Sequence, residues 1–170
     1  MIRLLREEDA DSYTTLRREA LIEAPLAFAA SLDDDLACDA EAVREQIRRS
    51  TESVIFGAFR ERLVDTVGLY RDRHLKSAHK VHLWGMYVTP AHRRQGLALA
   101  LLRAALQHAP SMPGISLVHL SVTSAAPEAR RLYEATGFTA WGEEPDALRW
   151  NGRSVSELHL GFRLAGASPR

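Results

Sequence analysis

Strands and helices alternate along this chain in the order β-α-α-β-β-β-α-β-α-β-β, which predicts an α/β (α+β) fold: a mixed, mostly antiparallel sheet of about seven strands with helices on both faces. Three observations carry that prediction. Apolar residues keep helical spacing from Ala10 to Leu21 and again from Leu97 to Leu106. Two strand-like runs between Ser53 and Tyr70 are joined by a tight Glu61-Arg62 connection, and Asn151-Gly152 marks a hairpin near the end. No G-x-G-x-x-G follows a strand, so a doubly wound nucleotide fold is not expected.

Ile2 to Leu5 reads as the first strand. Glu7, Glu8 and Asp9 then place acids at a helix start, where they suit the helix dipole. Ala10, Tyr13, Leu16, Ala20 and Leu21 share a face until Pro25 breaks the helix and Phe28 falls on a loop. The acidic run Asp33-Asp34-Asp35 follows, and Asp39 is a candidate cap for a helix through Arg49. Ser53–Arg60 and Leu63–Tyr70 are the next strands. In the second, Leu63, Val67 and Leu69 share a face that Asp65 interrupts, with Gly68 a candidate bulge. Val81–Val88 is a strand with a bulge expected at Gly85, and its helix spans Gln95–Ala109 until Pro110 stops it. After a strand over Ile115–Val122, Pro127 and Glu128 open a helix that Gly137 ends. Phe138–Trp141 begins a strand, and Val155–Leu164 returns beside it.

The 170 residues fit one domain over positions 1–164, with 165–170 read as a flexible tail. With 22 basic and 22 acidic side chains, net charge points to neither nucleic acid nor membrane. No apolar run approaches the roughly 20 residues of a membrane span, and Met1-Ile2-Arg3-Leu4 is shorter than a signal-peptide core. The single Cys38 excludes an internal disulfide, and a cytoplasmic monomer or homodimer is expected. Cys38 reads as a packed thiol. His74 and His79 lack metal-ligand spacing, so no metal is expected.

From His82 to Ala109 the chain reads as strand, Pro-led turn, basic cluster, glycine and apolar helix. A helix's first N–H groups lack intrahelical partners and attract anions. Gly96 has no Cβ, so a phosphate can approach its backbone, and Arg93 and Arg94 stand beside it as charge-assisted donors. The sequence Arg93-Arg94-Gln95-Gly96-Leu97-Ala98 resembles the R/Q-x-x-G-x-G/A signature of the GNAT superfamily of acyl-CoA-dependent N-acetyltransferases. Further on, Ala129-Arg130-Arg131-Leu132-Tyr133-Glu134-Ala135-Thr136-Gly137-Phe138 resembles that family's A-x-x-L-Y-x-x-x-G-F helix and following strand. The order of elements over nearly the whole chain agrees.

The resemblance implies a sheet whose fourth and fifth strands splay, with acetyl-CoA in the gap. Backbone amides from Arg94 to Ala98, Gln95, Gly96 and Leu97 included, would hold its pyrophosphate, and Met86, Tyr87 and Val88 would pair with the pantetheine arm like an added strand. Tyr133 matches the tyrosine that protonates the departing thiolate, and Ala129 lies one helical turn before it. The family's common strand carboxylate, six residues before the strand-ending valine, is here His82; an imidazole of ordinary pKa about 6.5 serves as a base at neutral pH. The family's frequent Asn at the start of the later helix is replaced by Ala126, for which Ser124 is a substitute cap.

Period-two alternation puts Trp84 on the face of His82, and with Phe28 it is a candidate acceptor contact. Beside these aromatics, Asp33–Asp35 suggest a cationic, partly apolar small-molecule or peptide amine. The function expected is direct acetyl transfer from acetyl-CoA to a primary amine. A rival reading keeps the groove without turnover, as an acyl-CoA-binding or sensing module; Ala126 and the missing carboxylate favour it, and Tyr133 opposes it.

Overall fold

In the computed structural model, which describes residues 1–164, one sheet of seven strands runs in the order β1-β2-β3-β4-β5-β7-β6. The strands are β1 (Ile2–Leu4), β2 (Ser53–Phe59), β3 (Leu63–Arg71), β4 (Lys80–Val88), β5 (Leu117–Thr123), β6 (Thr139–Trp150) and β7 (Arg153–Arg163). Four α-helices connect them: α1 (Ala10–Glu23), α2 (Ala40–Arg49), α3 (Leu97–His108) and α4 (Pro127–Ala135). All neighbours are antiparallel except β4 and β5. The element order matches that read from the sequence; the tail assignment falls on 165–170, outside the described residues.

The sheet separates two apolar clusters. On one face Leu101, Leu102 and Ala105 of α3 and Tyr133 of α4 pack on Val67, Leu69, Val81 and Val118. On the other, Tyr13 and Leu16 of α1 and Val43 of α2 pack on Ile55, Leu63 and Tyr87. Leu63 therefore lies across the sheet from Val67 and Leu69, not with them. The register of β3 against β2 slips between Ala58 and Phe59, which turns Leu63 to the α1 side and leaves Asp65 on the α3 side opposite Ala58.

Local signals account for several boundaries. The Asp39 carboxylate accepts from the Glu41 and Ala42 amides and caps α2, as expected. Asn151 and Gly152, at φ of 48° and 74°, form the two-residue turn between β6 and β7. Gly68 is not a bulge. It pairs with Trp84, and a Cβ there would stand 2.3 Å from the indole Nε1, so the missing side chain makes room for the ring. No helix among the described residues is long and apolar enough to cross a membrane.

Candidate active site

β4 and β5 pair only at Lys80–Leu117, Val81–Val118 and His82–His119. Beyond that rung β4 stays with β3 and β5 stays with β7, so the two parallel strands fork. The edge of β4 from Leu83 to Val88 borders the gap and finds no strand partner there. Inside this edge Gly85 and Met86 together oppose a single residue of β3, the bulge expected from the glycine. Gly85 has φ of 63°, and the bulge resets the alternation: Leu83 and Met86 meet the α3 cluster, while Trp84 and Tyr87 meet the α1 cluster.

The turn after β4 ends in an exposed set of donors. Pro90–His92 form one 3-10 turn, followed by Arg94 and Gly96, both in the left-handed region at φ of 61° and 77°. Gly96 is the N-cap of α3 and no side chain caps the helix. Among the described residues no group accepts from the amides of Arg94, Gln95, Gly96, Leu97 or Ala98. A Cβ on Gly96 would meet nothing within 4 Å, so the space over these amides is open. Converging N–H groups at a helix start, with room above them, fit a phosphate. Arg93 is placed differently from the expectation. It turns back to α1, donating to Glu23 at 2.5 Å and to the Val88 carbonyl at 3.1 Å, which takes the last carbonyl of β4 out of the free edge. The Gln95 amide group donates to the Ala91 carbonyl, bracing the turn.

On the α1 side of the fork stands a row of rings. His82 stacks on Tyr70 at 4.9 Å, and its Nε2 lies 3.3 Å from Asp72, whose carboxyl that contact holds below its ordinary range. His119 faces His82 edge-on at 5.9 Å across the last paired rung; burial and the His82 charge push its pKa down. Trp141 continues the row from His119 to His159. Tyr70, Asp72 and His119 were missed because only the pairing of β3, β4 and β5 brings them to His82.

Phe28 and Trp84, far apart in sequence, meet around Arg17 of α1. The guanidinium carbon lies 4.7 Å and 6.0 Å from their ring centres. The acidic run does not form an open mouth. Asp35 pairs with Arg17 at 2.7 Å and accepts from the Ala37 amide, while Asp34 accepts from Ser31 through backbone and hydroxyl. Asp33 is exposed without such a contact. Two of the three acids thus serve the loop that carries Phe28.

α4 brings Tyr133 to the α3 side, where Phe138 meets its ring at 5.8 Å and Ala129 is half-buried. Burial pushes the Tyr133 hydroxyl above its ordinary range, and the charge of Asp65 adds to this. Ala126 caps α4 with no side-chain bond. Ser124 does not replace it: its hydroxyl accepts from the Ser156 amide, joining the end of β5 to β7.

Asp65 is fully buried and neither carboxylate oxygen has a hydrogen-bond partner. Burial raises its pKa from 3.8 to about 8. The folded protein keeps this proton up to about pH 8, whereas the unfolded chain loses it near pH 4. Stability is therefore lost as pH rises through that window. Urea unfolding should show Asp65→Asn gaining on the wild type by on the order of 4 kcal/mol between about pH 5 and pH 8. A constant difference would mean that Asp65 is ionised in the fold. In the sequence Asp65 reads only as a break in alternation, although a lone acid in an apolar strand is itself a signal of a special site.

Cys38 is buried and its thiol is pushed up by that burial, in keeping with a packed role. His74 and His79 join no cluster of metal-ligating groups; among the described residues such a cluster forms at Glu144, Glu157 and His159.

The model of the acetyltransferase (GNAT) family matches residues 8–138, a span that runs from the start of α1 past α4 and includes the fork and the turn. The chain belongs to the GNAT family. It is an acyltransferase of that type, with the family's fold. No curated protein matches the sequence. Among solved structures, this GNAT chain is similar to yncA of Salmonella typhimurium with its cofactor acetyl-CoA, at 18% identity and a TM-score of 0.86 over 100% of this chain and 96% of that one. The ribosomal-protein-alanine N-acetyltransferase of Brucella melitensis superposes with 0.82 at 19% identity, covering 96% and 99% of the two chains. The spermidine N-acetyltransferase of Vibrio cholerae, in complex with CoA and spermine, gives 0.78 at 18% identity, covering 96% and 94%. At these identities the likeness is one of fold.

Proposed function

We propose that this GNAT protein transfers an acetyl group from acetyl-CoA directly to a primary amine, with the thioester lying in the fork between β4 and β5. The observation that carries this reading is the run of free main-chain groups on one line, from the forked edge of β4 to the unpaired amides of the Gly96 turn. Those amides bind the pyrophosphate, and Arg94 is the nearby cation left without a described partner. Met86 and the Val88 amide pair with the pantetheine arm; the Val88 carbonyl is already taken by Arg93, and Tyr87, opposite Thr66, turns its main chain to β3 instead. The Gly85–Met86 bulge turns a backbone N–H toward the thioester oxygen, a donor for the oxyanion that forms as the amine attacks.

An ammonium has no lone pair, so the acceptor must first lose a proton. His82 sits on the last paired rung, where the gap opens, and takes that proton through water, with Asp72 fixing the ring. Tyr133 supplies the proton to sulfur as the carbon–sulfur bond breaks. Its raised pKa keeps the hydroxyl protonated at neutral pH.

Incubation with acetyl-CoA and a panel of primary amines should release thiol together with the N-acetylated amine, read by mass spectrometry. Thiol release without acetylated amine would contradict the transfer. In His82→Gln the acidic limb of the pH–rate profile should disappear, because that limb reports the unprotonated base. Its persistence would assign the base to another group or to solvent.

A further inference from the structure

Arg17 lies beside the transfer point with most of its donors idle. Its side chain is only 8% exposed. One N–H, on Nε, goes to Asp35, and this is the single hydrogen bond the guanidinium makes among the described residues. Nη1 is enclosed with no acceptor at all. A guanidinium carries five N–H donors in a planar fork, so Asp35 balances the charge while leaving the geometry largely unused. Leaving a buried donor without a partner costs free energy, so the unpaired edge calls for a group that completes it.

Gly85 marks where the idle edge lies. Nη1 is the only heavy atom near the point where a side chain on Gly85 would begin, at 3.8 Å. Gly85 is the bulge at the free edge of β4, so the guanidinium lies against the edge beside which an acceptor must stand. Phe28 and Trp84 engage the guanidinium as aromatic neighbours, an arrangement that holds its plane and leaves the N–H edge for hydrogen bonding.

We propose that Arg17 is the receptor for a carboxylate on the acceptor, and that the acceptor is a small amino acid whose carboxylate lies within a few bonds of the reacting nitrogen. The inference rests on the acyl-transfer reading above and names the substrate class of that site. It replaces the cationic acceptor suggested by the acidic run, because Asp34 and Asp35 are already engaged. A carboxylate on the Nη edge leaves the amine of an amino acid facing β4. A simple polyamine offers the idle N–H groups no acceptor.

The test compares matched pairs in thiol-release kinetics: L-methionine, L-phenylalanine and L-lysine, each against the amine left when its carboxyl is removed. The carboxylated member should have the higher kcat/KM by about 10- to 100-fold for at least one pair, the range of a charge-assisted bidentate contact. Arg17→Lys keeps the charge and the stem but loses the fork, and should collapse that ratio toward one. Calorimetry of the same pairs on CoA-loaded protein reads the inference without turnover, as tighter binding of the carboxylated member that Arg17→Lys removes. Should Arg17→Lys fold poorly, the wild-type ratio and the wild-type calorimetry still decide. Equal or better turnover of the decarboxylated amines would overturn the carboxylate receptor while leaving acyl transfer standing. Failure of CoA-loaded protein to prefer any carboxylated member would overturn it as well.

Discussion

Tyr133→Phe should fold and bind CoA like the wild type while its kcat falls by about 10²–10⁴-fold, the range for losing a positioned general acid. The substitution deletes one hydroxyl and keeps the ring against Phe138 in the α3-side core. No described group hydrogen-bonds to that hydroxyl, so its removal orphans no partner and the melting temperature should barely move. The effect belongs in kcat because the proton is needed only as sulfur departs. An amine acceptor varied in basicity should leave the defect unchanged, whereas a CoA analogue with a more acidic thiol should narrow it. A variant with wild-type kcat would remove Tyr133 from the proton path and leave it as core packing.

Gly96→Asp should raise the Kd for CoA by about thirtyfold or more, on the order of 2 kcal/mol, because a carboxylate would occupy the space meant for phosphate. The fold should survive. A Cβ at this position meets nothing within 4 Å, and Asp is among the residues that tolerate the left-handed conformation seen at φ of 77°. Calorimetry on the folded variant decides the point, and unchanged affinity would move the pyrophosphate elsewhere.

The parts of the site that were legible in the sequence are those written in a few consecutive residues. Gly96 before an apolar helix, Gly85 inside a strand, Asn151-Gly152 and the Asp39 cap each have a local physical meaning, and each takes the predicted shape. The parts that were not legible depend on partners distant along the chain. Arg17 meets Asp35 across the α1–α2 connection, and His119 reaches His82 only through the register of a parallel pair. Local chemistry also misled where two uses competed. Ser124 could have capped α4 but joins β7, and the acids near Asp34 were needed by their own loop. Gly68, which reads as a bulge, owes its identity to the indole that fills its place.

Amide hydrogen exchange read by NMR, with and without CoA, tests most directly whether the cofactor lies along the forked edge and the Gly96 turn. Slowed exchange on adding CoA is expected at the amides between Gly85 and Val88 and between Arg94 and Leu99, with β1, β2 and the β6–β7 hairpin unchanged. Protection confined to other strands, or none at the Gly96 turn under saturating CoA, would contradict the site described for this protein.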